Sequence, residues 1–237
     1  MHILVIDGGH VEAEFRAKFG PAHEYSFHWP TLEGENDTME TFKQSGQTAL
    51  DAADVVFDCN PSGSFSLYMT GSLFALTKAT IVFMEASDTS LIYAGFTAAA
   101  VAFGFCGLPT LLNRPLLEVS LYHEADRAKL AETCAALGTD YRVVADRVGL
   151  VTPRVICQII NEACFTVQEG TATMHDVDLG MKLGTSYPRG PFAWANAIGV
   201  ARVYAVLEAM WQDTHDERYK VCPLLKRQAL RGEPFAV

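Results

Sequence analysis

Positive charge is scarce in this chain. Lys and Arg number 18 against 28 Asp and Glu, a formal net charge of −10 with a pI near 5.1. Such a surface repels phosphate backbones and anionic headgroups, so nucleic acid and membrane surfaces are excluded as expected partners. Paired cysteines are also missing. The six cysteines are scattered without a CxxC pair or metal-ligand spacing, so no metal site is expected. Cys157 and Cys164, seven residues apart, read as small hydrophobes on one helical face. The first six residues carry neither a basic n-region nor a cleavage site and do not read as a signal peptide. One long apolar run, residues 91–112, is broken by Gly104, Gly107 and Pro109. It reads as a buried helix followed by a buried strand, not a membrane span. No Gly-x-Ser-x-Gly, phosphate-binding Walker loop or HExxH occurs. A soluble protein of the reducing cytoplasm is the expectation.

With 49% hydrophobic and 19% charged residues, the chain is an ordinary globular protein with enough length for a sizeable core. Residues 2–6 form an apolar run ending in Asp7-Gly8-Gly9, which suits a buried strand feeding a tight turn. A helix is expected over 11–19 and a strand over 24–29. Segment 33–48 reads as a loop with at most a short helix. Strands are expected at 54–59, 80–84, 101–106, 116–121 and 141–145, with helices at 65–76, 91–100 and 124–137. Strands alternating with helices indicate a largely parallel α/β sheet with right-handed crossovers. After Asp146 the strand signal vanishes. Helices are expected over 151–169, 173–183 and 191–212, followed by an irregular tail broken at Cys222-Pro223. The change of fold class divides the chain into an α/β domain, 1–147, and an all-α domain, 148–237.

Several clusters in the second half occur in a set order: Asn161-Glu162-Ala163, Glu169-Gly170, Asp176-Val177-Asp178, Met181-Lys182-Leu183-Gly184, Tyr187-Pro188-x-Gly190-Pro191-Phe192 and Ile198-Gly199. Over about fifty residues this resembles the C-terminal domain of the 3-hydroxyacyl-CoA dehydrogenases. Upstream, Glu118-Val119, Asp146-x-x-Gly149 and Ser87-Asp88-Thr89-Ser90-Leu91 extend the likeness more weakly. The resemblance implies a divergent Rossmann-like first half, NAD as cofactor, an acyl-CoA-like small molecule as ligand, and a homodimer built through the helical half. In that family a His paired with a Glu takes the substrate's hydroxyl proton, while Ser and Asn side chains hold the oxygen.

Carried over residue by residue, these roles fall unevenly. Glu118 matches the carboxylate, and Thr89 with Ser90 matches the hydroxyl position. Phe105 stands where Pro109 places the general base, and a phenyl ring accepts no proton. Losing a positioned base costs about 10²–10⁴ in rate. Pro153 occupies the place of the orienting Asn. Gly8, Gly9 and His10 fall in the nucleotide turn, where only Gly9 coincides with one of three required glycines and Asp7 and Glu12 take the others. Two carboxylates would oppose a pyrophosphate at a helix N-terminus. The turn is otherwise an inherited strand–helix junction, and Thr89 and Ser90 otherwise do N-cap chemistry. Two functions follow. The first is a dehydrogenase-like binding or structural dimer with lost or strongly reduced activity. The second is an active NAD-dependent 3-hydroxyacyl-CoA, or 3-hydroxybutyryl-CoA, dehydrogenase of fatty acid metabolism with a non-standard site and a different base, such as His10 or Cys106.

Overall fold

The computed structural model describes residues 1–27, 39–60, 80–93 and 101–237. The chain divides into two compact units. One comprises Met1–Gly107 with Leu112–Leu150, the other Leu108–Leu111 with Val151–Val237. The first is an α/β Rossmann-like unit and the second is all-α.

In the first unit seven strands form one sheet: β1 (His2–Ile6), β2 (Glu24–Ser26), β3 (Val55–Asp58), β4 (Ile81–Glu85), β5 (Val101–Phe105), β6 (Leu116–Leu121) and β7 (Asp140–Val144). Their order is β2-β1-β3-β4-β5-β6-β7. Every pair is parallel except β5 with β6. The strands β1, β3, β4 and β5 are apolar along almost their whole length because both faces of the sheet are covered. One face holds Ile3, Val5, Phe57, Phe83, Phe103, Phe105 and Val119, packed with Phe15 and Phe19 of α1 (Glu12–Phe19) and Leu130 and Cys134 of α3 (Arg127–Leu137). The other holds Leu4, Ile6, Val56, Val82 and Met84 against Phe42 and Leu50 of α2 (Met39–Ala52). β1 lies between β2 and β3, so the chain reverses direction there. In doubly wound sheets ligands bind at such a switch point, outside the strands' carboxyl ends.

The helical unit contains α4 (Thr152–Gln168), α5 (Met174–Thr185), α6 (Pro191–Ile198), α7 (Val200–Thr214) and α8 (Pro223–Arg231). Several residues of the ordered clusters noted in the sequence bind backbone groups of neighbouring segments. Asp178 is the buried residue of α5; its carboxylate accepts N–H from Phe192 at 2.8 Å and Ala193 at 3.0 Å, capping α6. A Cβ on Gly190 would lie 2.2 Å from the Asp178 carboxyl carbon, so only glycine permits this approach. Buried Asn161 donates to the Lys220 carbonyl and accepts from Cys222 N–H, fixing the segment after α7 onto α4. Asn196 does the same for Phe235 through both its backbone groups, and the Phe235 ring meets Phe192 edge-on at 5.0 Å.

Three expectations are corrected. Segment 33–48 contains most of α2, whose polar composition hides a stripe held by Phe42 and Leu50. The helix expected over 191–212 is two, because Gly199 at φ 103° cannot continue a right-handed helix. The tail is not irregular: Pro223 sits in the first turn of α8, where its missing N–H costs nothing. α5 is capped by Thr173, whose hydroxyl oxygen accepts Asp176 N–H and donates to the Asp176 carboxylate. The helix expected over 65–76 lies outside the described residues, as does 94–100 of the next.

Candidate functional site at the carboxyl edge of the sheet

The turn after β1 is Asp7-Gly8-Gly9, leading through a single 3-10 turn, Gly9–Val11, into α1. Gly8 is required by packing, since a Cβ there would sit 2.2 Å from Val5 Cγ1. Above Gly9 a Cβ would meet nothing within 4 Å, which leaves its backbone open to approach. His10 is exposed beside it. The two carboxylates that oppose a pyrophosphate are each engaged. Glu12 pairs with Arg16 at 2.8 Å, and Asp7 accepts the Asn60 amide at 2.6 Å, spanning the ends of β1 and β3 at the switch point. The turn thus leaves Gly9 open, without the three-glycine cradle. Arg16 also lies over Tyr25 and Phe27, 5.0 and 5.2 Å from their centroids, and these residues line a cleft of about 450 Å³ with Gly9 and Glu12.

The structure separates Phe105 from Glu118. Phe105 pairs with Val119 across β5 and β6, and both face the aromatic core. The Phe105 ring is fully buried, edge-on to Phe57 at 5.1 Å, Phe83 at 6.4 Å and Phe15 at 6.5 Å. Glu118 precedes Val119 and, by strand alternation, shares the opposite face with Ser120 and Gly104. On that face the alternation brings Cys106, not Phe105, toward Glu118. Gly104 is small by necessity, because a Cβ would lie 2.3 Å from Ser120 Oγ.

The turn after β4 carries Thr89 and Ser90, both buried. Ser90 Oγ accepts Tyr93 N–H at 3.4 Å, and Thr89 Oγ1 makes a long bond of 3.5 Å to the Ser90 carbonyl. Asp146, beyond β7, holds the far end of this turn. It accepts N–H from Leu91 at 3.1 Å and Ile92 at 3.3 Å, and the Ser120 hydroxyl at 3.1 Å. Pro153 lies in the other unit, buried in the first turn of α4.

Sequence reasoning missed Glu85. It is the last residue of β4, in register with Phe105, and is enclosed by protein. One carboxyl oxygen accepts Ser87 N–H at 2.8 Å; the other accepts Gly107 N–H. Desolvation pushes its pKa up to about 7. The bonds from Ser87 and Gly107 oppose that rise, and the like charge of Asp88 adds to it. The Ser87 hydroxyl lies beside this carboxyl but outside hydrogen-bond geometry, and is buried. The available signal was an acidic residue closing an otherwise apolar strand, Ile81-Val82-Phe83-Met84-Glu85.

All six cysteines are buried. Burial pushes Cys134 up to about 11 and Cys157 up to about 12, so these thiols stay protonated and behave as packing groups. Among the described residues no group of His, Cys, Asp and Glu is placed to hold a metal ion, and no helix is long and apolar enough to cross a membrane.

Residues 149–234 match the family model for the 3-hydroxyacyl-CoA dehydrogenase C-terminal domain. The chain is 40% identical over 87 residues to a 3-hydroxyadipyl-CoA dehydrogenase of Escherichia coli, covering 37% of this chain and 18% of that protein. It is 32% identical over 155 residues to a 3-hydroxybutyryl-CoA dehydrogenase of Bradyrhizobium diazoefficiens, covering 62% of this chain and 53% of that protein. These matches thus span about half the curated relatives' length or less. In fold it is similar to the (S)-3-hydroxybutyryl-CoA dehydrogenase of Ralstonia eutropha, with a TM-score of 0.68 at 20% identity over 98% of this chain and 94% of that one. The 3-hydroxybutyryl-CoA dehydrogenase of Escherichia coli gives a TM-score of 0.70 at 18% identity over 98% of this chain and 57% of that one.

Proposed function

We propose that the chain is a member of the 3-hydroxyacyl-CoA dehydrogenase family, matched through its helical half and with a divergent Rossmann-like sheet half, and that it is a dehydrogenase-like homodimer which binds an acyl-CoA-like small molecule with lost or strongly reduced NAD-dependent turnover. The observation that carries this is the placement of Phe105. The position aligned with the family's proton acceptor is a phenyl ring turned into the core, on the sheet face away from Glu118. Without a general base beside the carboxylate, the hydroxyl proton of a 3-hydroxyacyl thioester has no route off the substrate at that point. Thr89 and Ser90 remain at the edge as hydroxyls for a carbonyl oxygen. The proposed dimer contact is the face of α5, where Leu179 and Leu183 are exposed.

A second reading, an active dehydrogenase with a non-standard site, is favoured by the ion pair between Glu12 and Arg16 and the open space above Gly9. A dinucleotide there would lie on Gly8, Gly9 and His10 and would supply the hydride acceptor or donor. One assay separates the two. NADH absorbance is followed with acetoacetyl-CoA at micromolar enzyme, alongside thermal shift with each ligand alone. The first reading expects stabilisation by the thioester with no NADH oxidation above background. Robust oxidation by pure protein establishes the second.

A further inference from the structure

The ends of α1 and α3 and the segment leading into β6 wall a second cleft, of about 630 Å³. Lys18 lines it from the last turn of α1, Asn113 and Arg114 from the approach to β6, and Thr139 and Asp140 from the step between α3 and β7. All of them belong to the sheet unit. The eight residues of α1, about 12 Å of helix, separate this cleft from the turn at Gly9. Its volume is that of a small-molecule site.

The cation on this wall is short of partners. Lys18 is half-buried, and its ammonium, with three N–H groups, donates to one oxygen, the Arg114 carbonyl, at 2.5 Å. The Phe19 ring lies 5.8 Å from it. Among the described residues no carboxylate pairs with it. Desolvation lowers the Lys18 pKa, against a smaller opposing effect of Cys134. Arg114, also half-buried, brings a second positive charge to the same cleft. Two acids are near. Glu14 of α1 accepts Asn113 N–H at 3.2 Å, and Asp140 is exposed at the rim. An exposed charge acts through an effective dielectric nearer to about 80, against about 20 beside protein, so Asp140 offsets a fraction of the cationic field. The carbonyls ending α3 are turned inward: Cys134 and Ala135 accept Thr139 and Gly138 N–H at 3.0 and 3.1 Å, around Gly138 at φ 71°.

We propose that this cleft binds a phosphorylated small molecule, its phosphoryl group held by Lys18 and Arg114 and its remainder lying along Asn113 and Thr139. Charge selects the ligand class. A phosphate monoester carries about −1.5 to −2 at pH 7 and matches two cations, whereas a single carboxylate leaves one unmatched. Its oxygens also supply the acceptors that the Lys18 ammonium lacks from protein. The site is distinct from the nucleotide turn after β1, and it stands whether or not the chain turns over a thioester.

The test follows amide chemical shifts of the full chain while AMP is added, with adenosine as the uncharged counterpart. AMP is expected to move the Arg114 and Thr139 amides to saturation, and adenosine to leave them in place. Lys18→Gln and Arg114→Gln are each expected to weaken AMP by about tenfold or more. Arg114→Gln keeps the main-chain carbonyl that Lys18 bonds, so it removes charge without loosening the end of α1. Cleft amides that stay still at millimolar AMP overturn the proposal, as does adenosine moving them equally. So does AMP binding with unchanged affinity in both Gln variants. Shifts at Gly9 with none at Arg114 and Thr139 would assign AMP to the nucleotide turn and overturn the cleft site as well.

Discussion

Phe105→His is the substitution that sequence alignment recommends for restoring a proton acceptor, and the structure gives reason to expect it to fail. The ring is fully buried among Phe15, Phe57 and Phe83. Removing a buried phenyl outright costs about 3–5 kcal/mol. An imidazole refills much of that volume but brings ring nitrogens into an apolar cluster, at about 1–3 kcal/mol for an unmet hydrogen bond. A net loss of about 3–4 kcal/mol follows, which for a chain of this size lowers Tm by about 10 °C. Scanning calorimetry measures the loss, and NADH oxidation with acetoacetyl-CoA is run on the same sample. The expected result is a destabilised protein with no gain in turnover. A variant as stable as wild type, or one that gains activity, refutes the assignment of Phe105 to the core face. The companion Cys106→His shares a face with Glu118 and, on the proposed reading, is the variant that raises turnover, by up to about 10²-fold.

The turn after β1 separates packing from ligand binding. Gly8→Ala clashes with Val5 and is expected to cost about 1–3 kcal/mol in urea unfolding. Gly9→Ala leaves stability unchanged but abolishes any thermal shift produced by NADH, and an undiminished shift would place the dinucleotide elsewhere. Asp178→Ala strands two N–H groups of α6 and is expected to lower stability by about 2–4 kcal/mol, read by calorimetry; a loss under about 1 kcal/mol would mean water replaces the cap. Wild-type stability is expected to decline between pH 5 and 7. Glu85 rises from 4.5 unfolded to about 7 folded, so the folded state holds the extra proton across that window and loses it as the pH climbs. The full effect is about 3 kcal/mol, and Glu85→Gln removes that slope.

The sheet was legible because each buried strand is a short apolar run, and the parallel order follows from alternation with helices. α2 was illegible for the opposite reason: its buried stripe is carried by Phe42 and Leu50 amid polar residues, and local composition outweighs it. Gly199 interrupts a helical period that continues on both sides, and a pattern alone does not report its φ of 103°. At the site, alignment located Phe105 and Glu118 on neighbouring strands but gave no parity, and parity depends on the β5–β6 register. Glu85 stood in the sequence as an acidic residue closing an apolar strand, and its enclosure is what gives that signal meaning.

The fastening of Phe235 has a practical consequence. Asn196 grips its backbone in both directions, while Val237, two residues on, is 56% exposed. A purification handle grafted beyond Val237 would trail into water and leave α6 undisturbed. Trimming three residues instead would strip Phe192 of its aromatic neighbour and open the underside of that helix to proteases.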